Sequence, residues 1–304
     1  HDIRVEVLRE DIDVRARDGY YYYVADDRRS RFVSAALSLP GTVADLPLKA
    51  QATRSWSANG MASVMVSIAL SAEEVGLSVD EDGVYAGLEV HAAVLNDRLE
   101  TKEEHHGGLQ RRLRRSSAMQ LNALAGMSQI NSLPRGELLV YRMEWVLPPD
   151  EYDIRVMVLD ETTGRVGSAR MFVEISEDEF SEWRTSDLLL IETDGANKAR
   201  PVVNGRVPAR RVVSAFLEVY NGVTPSVSGF IQAIDSAESA LVDGVKIFYT
   251  PLDEDPDGIH RGAFILPPLS PGTFRLRLDI DDPGAAQETS LEANIEVLPA
   301  PVQR

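Results

Sequence analysis

The 304 residues carry 31 Lys and Arg against 48 Asp and Glu, a net charge of -17, with 44% apolar residues. That acidity disfavours nucleic acid and anionic lipid surfaces as partners, and no window approaches the roughly 18 consecutive apolar residues of a membrane-crossing helix. Cysteine is absent, which removes disulfides, zinc-thiolate sites and thiol nucleophiles together and leaves the compartment open.

In chain order the predicted elements are strands with little helix. IRVEV (Ile3 to Val7) and IDVRA (Ile12 to Ala16) alternate apolar and charged residues and read as a half-buried hairpin. A run of four tyrosines follows, Tyr20, Tyr21, Tyr22 and Tyr23, suited to a docking edge with one apolar and one wet side. After ADDRRS (Ala25 to Ser30), SVMVSIAL (Ser63 to Leu70) points Val64, Val66, Ile68 and Leu70 to one face. YAGLEVHAAVL (Tyr85 to Leu95) does the same with Leu88, Val90, Ala92 and Val94. SANG (Ser57 to Gly60) and DEDG (Asp80 to Gly83) supply tight turns. From Glu100 to Pro134 the rhythm fails, and this stretch is expected to be a polar insertion or flexible loop, moderately helical from Ser117 to Ala125 and the least ordered part of the chain. Within it RRLRR (Arg111 to Arg115) reads as a solvated loop or helix face, with an interaction patch as the alternative.

One passage occurs twice. LPPDEYDIRVMVLD (Leu147 to Asp160) and LPPLSPGTFRLRLDID (Leu266 to Asp281) each run an apolar strand into Leu-Pro-Pro and leave it on another strand. With Tyr152 set on Phe274, an offset of 122 residues, Ile154 meets Leu276, Arg155 meets Arg277, Val156 meets Leu278 and Val158 meets Ile280. The same offset carries Ser168 to Ser290, and Val173 to Ile175 onto Ile295 to Val297. Proline has no N–H to give a ladder, so each pair of prolines is expected to stop one strand at a sheet-crossing corner. The acidic stretch SEDEFSEWRTSD (Ser176 to Asp187) is expected to divide the two copies near residue 183.

Candidate chemistry is sparse. DEDPDG (Asp253 to Gly258) sets Asp253, Asp255 and Asp257 at alternate positions before a glycine, the opening of a calcium loop; Phe264 stands where a bidentate Glu is required, so an acidic hairpin connection is the better reading. His105 and His106, with Glu103 and Glu104, read as a flexible polar loop able to catch a metal only adventitiously. His91 is expected in a strand, facing solvent or a neighbour, and His260 to offset the charge of the acidic loop. No Gly-x-Ser-x-Gly elbow, phosphate-binding loop or dinucleotide fingerprint occurs. Forty-eight acidic residues make carboxylate pairs too common to signal glycoside hydrolysis.

LPPDEYDIRVMVLDETTGRVGSARMFVEI, then SDLLL (Ser186 to Leu190) and FLEVYN (Phe216 to Asn221), resembles the C-terminal region of von Willebrand factor A-related proteins of acidobacteria. The resemblance extends to IRVEVLREDIDVRARDGYY (Ile3 to Tyr21) and ALSLPGTVADLPLKA (Ala36 to Ala50), and it implies that residues 1–23 are the tail of an upstream A domain. The Asp-x-Ser-x-Ser motif of such a domain is missing here; DSAES (Asp235 to Ser239) has the wrong spacing.

The expected fold is all-β: a hairpin over 1–23, then two tandem immunoglobulin- or fibronectin-like sandwiches over 24–183, with the insertion at 100–134, and 184–304. The sequence opens at His1, without Met or a signal-like apolar core, and reads as a processed chain or fragment. The expected function is that of a noncatalytic exported protein, periplasmic or at the cell surface, needing no cofactor. Its sandwiches serve as spacers and docking modules for protein partners, with an upstream A domain among them, through the Tyr20 to Tyr23 edge. The alternative is a carbohydrate- or calcium-dependent module using the Asp253 loop or exposed Trp56, Trp145 or Trp183.

Overall fold

A computed structural model describes residues 33–38, 43–56, 60–80, 83–112, 138–177, 183–193, 199–209, 211–220, 225–234, 245–247, 250–254, 259–282 and 287–299. These residues are almost entirely strand. The first group comprises β1 (Leu48–Trp56), β2 (Ala62–Ser71), β3 (Ser78–Asp80), β4 (Gly83–Leu95), β5 (Thr101–Arg112), β6 (Leu138–Leu147), β7 (Asp150–Asp160) and β8 (Val166–Ile175). The second comprises β9 (Arg184–Thr185), β10 (Leu189–Thr193), β11 (Ala199–Pro201), β12 (Arg206–Pro208), β13 (Val212–Tyr220), β14 (Ser226–Ala233), β15 (Val245–Ile247), β16 (Thr250–Glu254), β17 (His260–Ile265), β18 (Gly272–Asp282) and β19 (Gln287–Leu298).

Strands β1-β2-β6 form one sheet, and β4-β7-β8, with β3 and β5 both on β4, form another. In the second group β11-β10-β13-β17-β16, with β9 on β13, form one sheet and β12-β19-β18-β14-β15 the other. The pairing is antiparallel throughout, apart from the parallel contact of β12 with β19. Alternation decides which side of each strand is buried: Val64, Val66, Ile68 and Leu70 of β2 share a core with Leu88, Val90, Ala92 and Val94 of β4 and with Ile154, Val156 and Val158 of β7. A separate core gathers Val213, Ala215, Leu217 and Val219 of β13 with Leu276, Leu278 and Ile280 of β18 and Ile295 and Val297 of β19. Each valine, leucine or isoleucine among them is worth about 1.5–3 kcal/mol when withdrawn from water.

Both Leu-Pro-Pro segments are sheet-crossing corners, since β6 and β7 lie in different sheets, as do β17 and β18. The repeat extends to hairpin register. Tyr152 pairs with Val173 and Leu159 with Val166; 122 residues on, Phe274 pairs with Ile295 and Asp281 with Glu288. The corners differ in length, Leu147 to Tyr152 spanning five positions and Leu266 to Phe274 eight.

Two features that the sequence reading did not give have physical causes. Residues 33–38 form a turn of helix. Val33 and Ala36, at helical spacing, cover Met157 and Leu159 on the outer side of β7, and Leu37 O accepts a hydrogen bond from Arg155 Nη1 at 3.0 Å. The rhythm that fails at Glu100 does not end the sheet: residues 101–112 are β5, paired with β4 along its length. The polar sequence of β5 suits a strand at the side of a sheet, where charge discourages pairing with foreign chains. Arg111 and Arg112 therefore close a strand rather than begin a loop, while residues 113–137 lie outside the described residues.

Close approach fixes two glycines. Residues 43–46 run along the first part of β8, with Leu46 N–H donating to Val166 O at 2.9 Å, and a Cβ at Gly167 would overlap the Leu46 carbonyl oxygen. Asn204 and Gly205 both have positive φ, 50° and 71°, the conformation Asn-Gly turns favour. A Cβ on Gly205 would overlap the Asn294 carbonyl.

Candidate functional site

Two places concentrate polar side chains under geometric constraint. The first is the seam where the end of β1 meets the second group of strands. The Arg54 guanidinium grips Asp187, with Nε 3.1 Å from Oδ2 and Nη2 3.0 Å from Oδ1. The backbones close the same ring: Arg54 N–H donates to Asp187 Oδ2 at 2.8 Å and Asp187 N–H to Arg54 O at 3.0 Å. Arg54 Nη1 reaches on to Glu174 O at 2.6 Å, so one arginine ties β1, β8 and the start of the second group. Planar two-point pairing of this kind restricts orientation as well as distance.

Beside it lies Trp56, buried against Tyr220. The Trp56 N–H donates to Tyr220 Oη at 2.9 Å, and the Trp56 indole N–H to Thr185 O at 3.4 Å. Arg184 stacks over the indole at 4.6 Å and over the Tyr220 ring at 5.5 Å. The Tyr220 hydroxyl donates to Glu218, whose other oxygen accepts from Arg261 Nε at 2.7 Å. Burial first, and the Glu218 carboxylate second, raise the Tyr220 hydroxyl far above its ordinary pKa, so it stays a donor. The turn at Asn204 adds a further tie, its N–H donating to Gln51 Oε1 at 2.8 Å. Asp187, at the end of the expected linker, is thus part of the joint and not a spacer residue.

The second place is the outer face of the β4–β5 hairpin. His91 and His106 are direct cross-strand partners, and Glu89 precedes His91 by two positions on the same face. Both imidazole Nε2 atoms approach one carboxylate oxygen, Glu89 Oε1, at 2.6 Å from His91 and 3.2 Å from His106. The rings stack with centroids 4.4 Å apart and planes within 10°. His105 points the other way, toward the core, where its Nε2 lies 2.6 Å from Tyr141 Oη. Burial, then the charges of His106 and His91, lower its pKa. The two adjacent histidines are therefore strand residues with opposite environments, contrary to the loop expected from the sequence, and Glu103 and Glu104 are exposed on the same strand. Sequence reasoning missed Glu89. The available signal was its i, i+2 spacing from His91, but the cross-strand partner was hidden by reading residues 101–112 as loop.

Of the other residues singled out from sequence, Asp253 lies in β16, while Asp255 and Asp257 lie outside the described residues, as do Tyr20, Tyr21, Tyr22 and Tyr23. His260 is buried in β17, opposite Glu254. Trp56 and Trp145 are buried and Trp183 is half-buried against the second core, so none offers the open aromatic platform a carbohydrate module needs. Among the described residues the exposed aromatics are Phe230 and, more fully, Phe172, 72% accessible on β8 with the Arg170 guanidinium 4.4 Å over its ring. No protein-family model matches the chain, and no curated protein matches it.

Proposed function

We propose that the chain is a noncatalytic structural and interaction protein, its two groups of strands being tandem immunoglobulin- or fibronectin-like sandwiches that act as a spacer of fixed geometry. The observation that carries this reading is the seam: a bidentate Arg54–Asp187 pair and a buried Trp56–Tyr220 contact hold two separate cores together. A tether with no other duty needs no such joint, whereas a spacer that presents its ends in a set orientation does. Further support comes from the sheet order, β1-β2-β6 against β3-β4-β7-β8 with β5 also on β4, and from the Tyr152 hydroxyl donating to Pro148 O at 2.8 Å, the tyrosine corner of such sandwiches. The resemblance to von Willebrand factor A-related proteins favours an exported protein at the cell surface or in the periplasm, with an upstream A domain and the Tyr20 to Tyr23 edge making protein contacts.

Absence of cysteine allows a direct test. Spin labels on Lys102→Cys and Glu292→Cys, both exposed and on opposite sides of the seam, should give one narrow distance distribution; a broad or multimodal one sinks the fixed-spacer reading. Protease treatment of intact and permeabilised cells tests location, and protection that survives permeabilisation of the outer envelope alone counts against export.

A further inference from the structure

We propose that Glu89, His91 and His106 form a binding site for a divalent transition-metal ion of the zinc type on the outer face of the β4–β5 hairpin. Their three donor atoms already lie within 4.8 Å of one another. A tetrahedral ion with bonds of about 2.0–2.1 Å requires donors roughly 3.3 Å apart. The Nε2 of His106 stands 3.2 Å from Glu89 Oε1, and that of His91 must withdraw from its present 2.6 Å by less than about one ångström. The imidazoles must also turn from stacking so that their lone pairs converge. His106, its side chain 69% exposed, has room for this, while Glu89 and His91, at 13% and 16%, are held by the sheet.

The donor set selects the ion. Two imidazole nitrogens and one carboxylate oxygen suit zinc, nickel or copper, whereas calcium and magnesium require oxygen ligands throughout. The ion takes both Nε2 atoms in their unprotonated form and replaces contacts already aimed at one point, Glu89 Oε1. Three protein ligands leave a fourth position for water or a side chain of a docked partner. The ion would also clip β5 to β4 across the register in which His91 faces His106. His105, on the opposite face of the same strand, takes no part.

Cobalt, then zinc, titrated into the full chain tests this by visible absorption and calorimetry. The expected result is one ion per chain, with tetrahedral cobalt bands that zinc abolishes and a zinc-dependent rise in melting temperature. His106→Ala should weaken uptake by at least about tenfold to a hundredfold and remove the thermal shift. His106→Cys should restore uptake through a thiolate, and His105→Ala should leave it unchanged. Absence of saturable uptake overturns the proposal. So does uptake that survives His106→Ala with a native circular dichroism spectrum, or that is lost instead in Asp253→Asn.

Discussion

Tyr152 sits where the chain turns from one sheet into the other. Its ring is buried and its hydroxyl closes the corner on Pro148 O. Burial first, and the nearby Asp150 charge second, push the phenol up to about 12, so the hydrogen-bond donor persists across the physiological range. Phe274 occupies the equivalent position in the second copy with a ring and no hydroxyl, on a corner three residues longer. Tyr152→Phe should therefore keep the fold and lower stability by about 1 kcal/mol in denaturant titration. Asp153, on the outer side of β7, is nearly buried between two guanidiniums, with Arg155 Nη2 and Arg170 Nε both at 2.7 Å. Burial alone raises its pKa, but the hydrogen bonds from Arg170 and then Arg155 outweigh it and hold the carboxyl below the usual range. A depressed folded pKa contributes stability above the unfolded value, about 3.9, and that contribution is lost as pH falls through the folded value. Asp153→Asn should thus cost about 2 kcal/mol at pH 7, and the gap from wild type should shrink below about pH 4.

At the scale of elements, the β4–β5 hairpin separates what periodicity reveals from what it hides. The apolar side of β4 was legible because Leu88, Val90, Ala92 and Val94 alternate with polar residues, and all four are buried. Its partner β5 was not, because TKEEHHGGLQRR has no apolar face to read; pairing with β4 makes it a strand. The turn between them is also disguised. Asn96 organises it, its side-chain oxygen accepting the Glu100 N–H at 2.8 Å, while Leu99 takes φ 60°, a conformation costly for a leucine. Leu99 is exposed, so little packing opposes its replacement. Leu99→Asn should raise stability by about 0.5–1 kcal/mol, seen as a higher melting temperature; an unchanged or lower value would mean the leucine contributes contacts that offset its strain. The Leu-Pro-Pro corners were readable for the opposite reason: two consecutive prolines offer a central ladder no N–H to pair, and the 122-residue offset fixes equivalent registers in both hairpins.

For the molecule as a whole, the seam determines whether the two cores behave as one body. Arg54→Ala leaves Asp187 without its bidentate partner, and Asp187→Ala does the converse. Each should cost about 1–2 kcal/mol, modest because both side chains remain partly accessible. Calorimetry should then resolve two transitions, against one expected for the parent, and Trp56 fluorescence should follow the first. A single unshifted transition in both variants would mean that the Trp56–Tyr220 contact alone couples the cores. By itself the sequence determined the all-β class, the faces of β2, β4, β7 and β18, and the paired corners, because alternation, proline and repetition act over a few neighbouring residues. Only the tertiary structure decided that residues 33–38 cap β7, that Arg54 meets Asp187 across 133 positions, and that His106 comes to rest beside Glu89 and His91. These depend on which strands become neighbours, and local patterning carries no record of that choice.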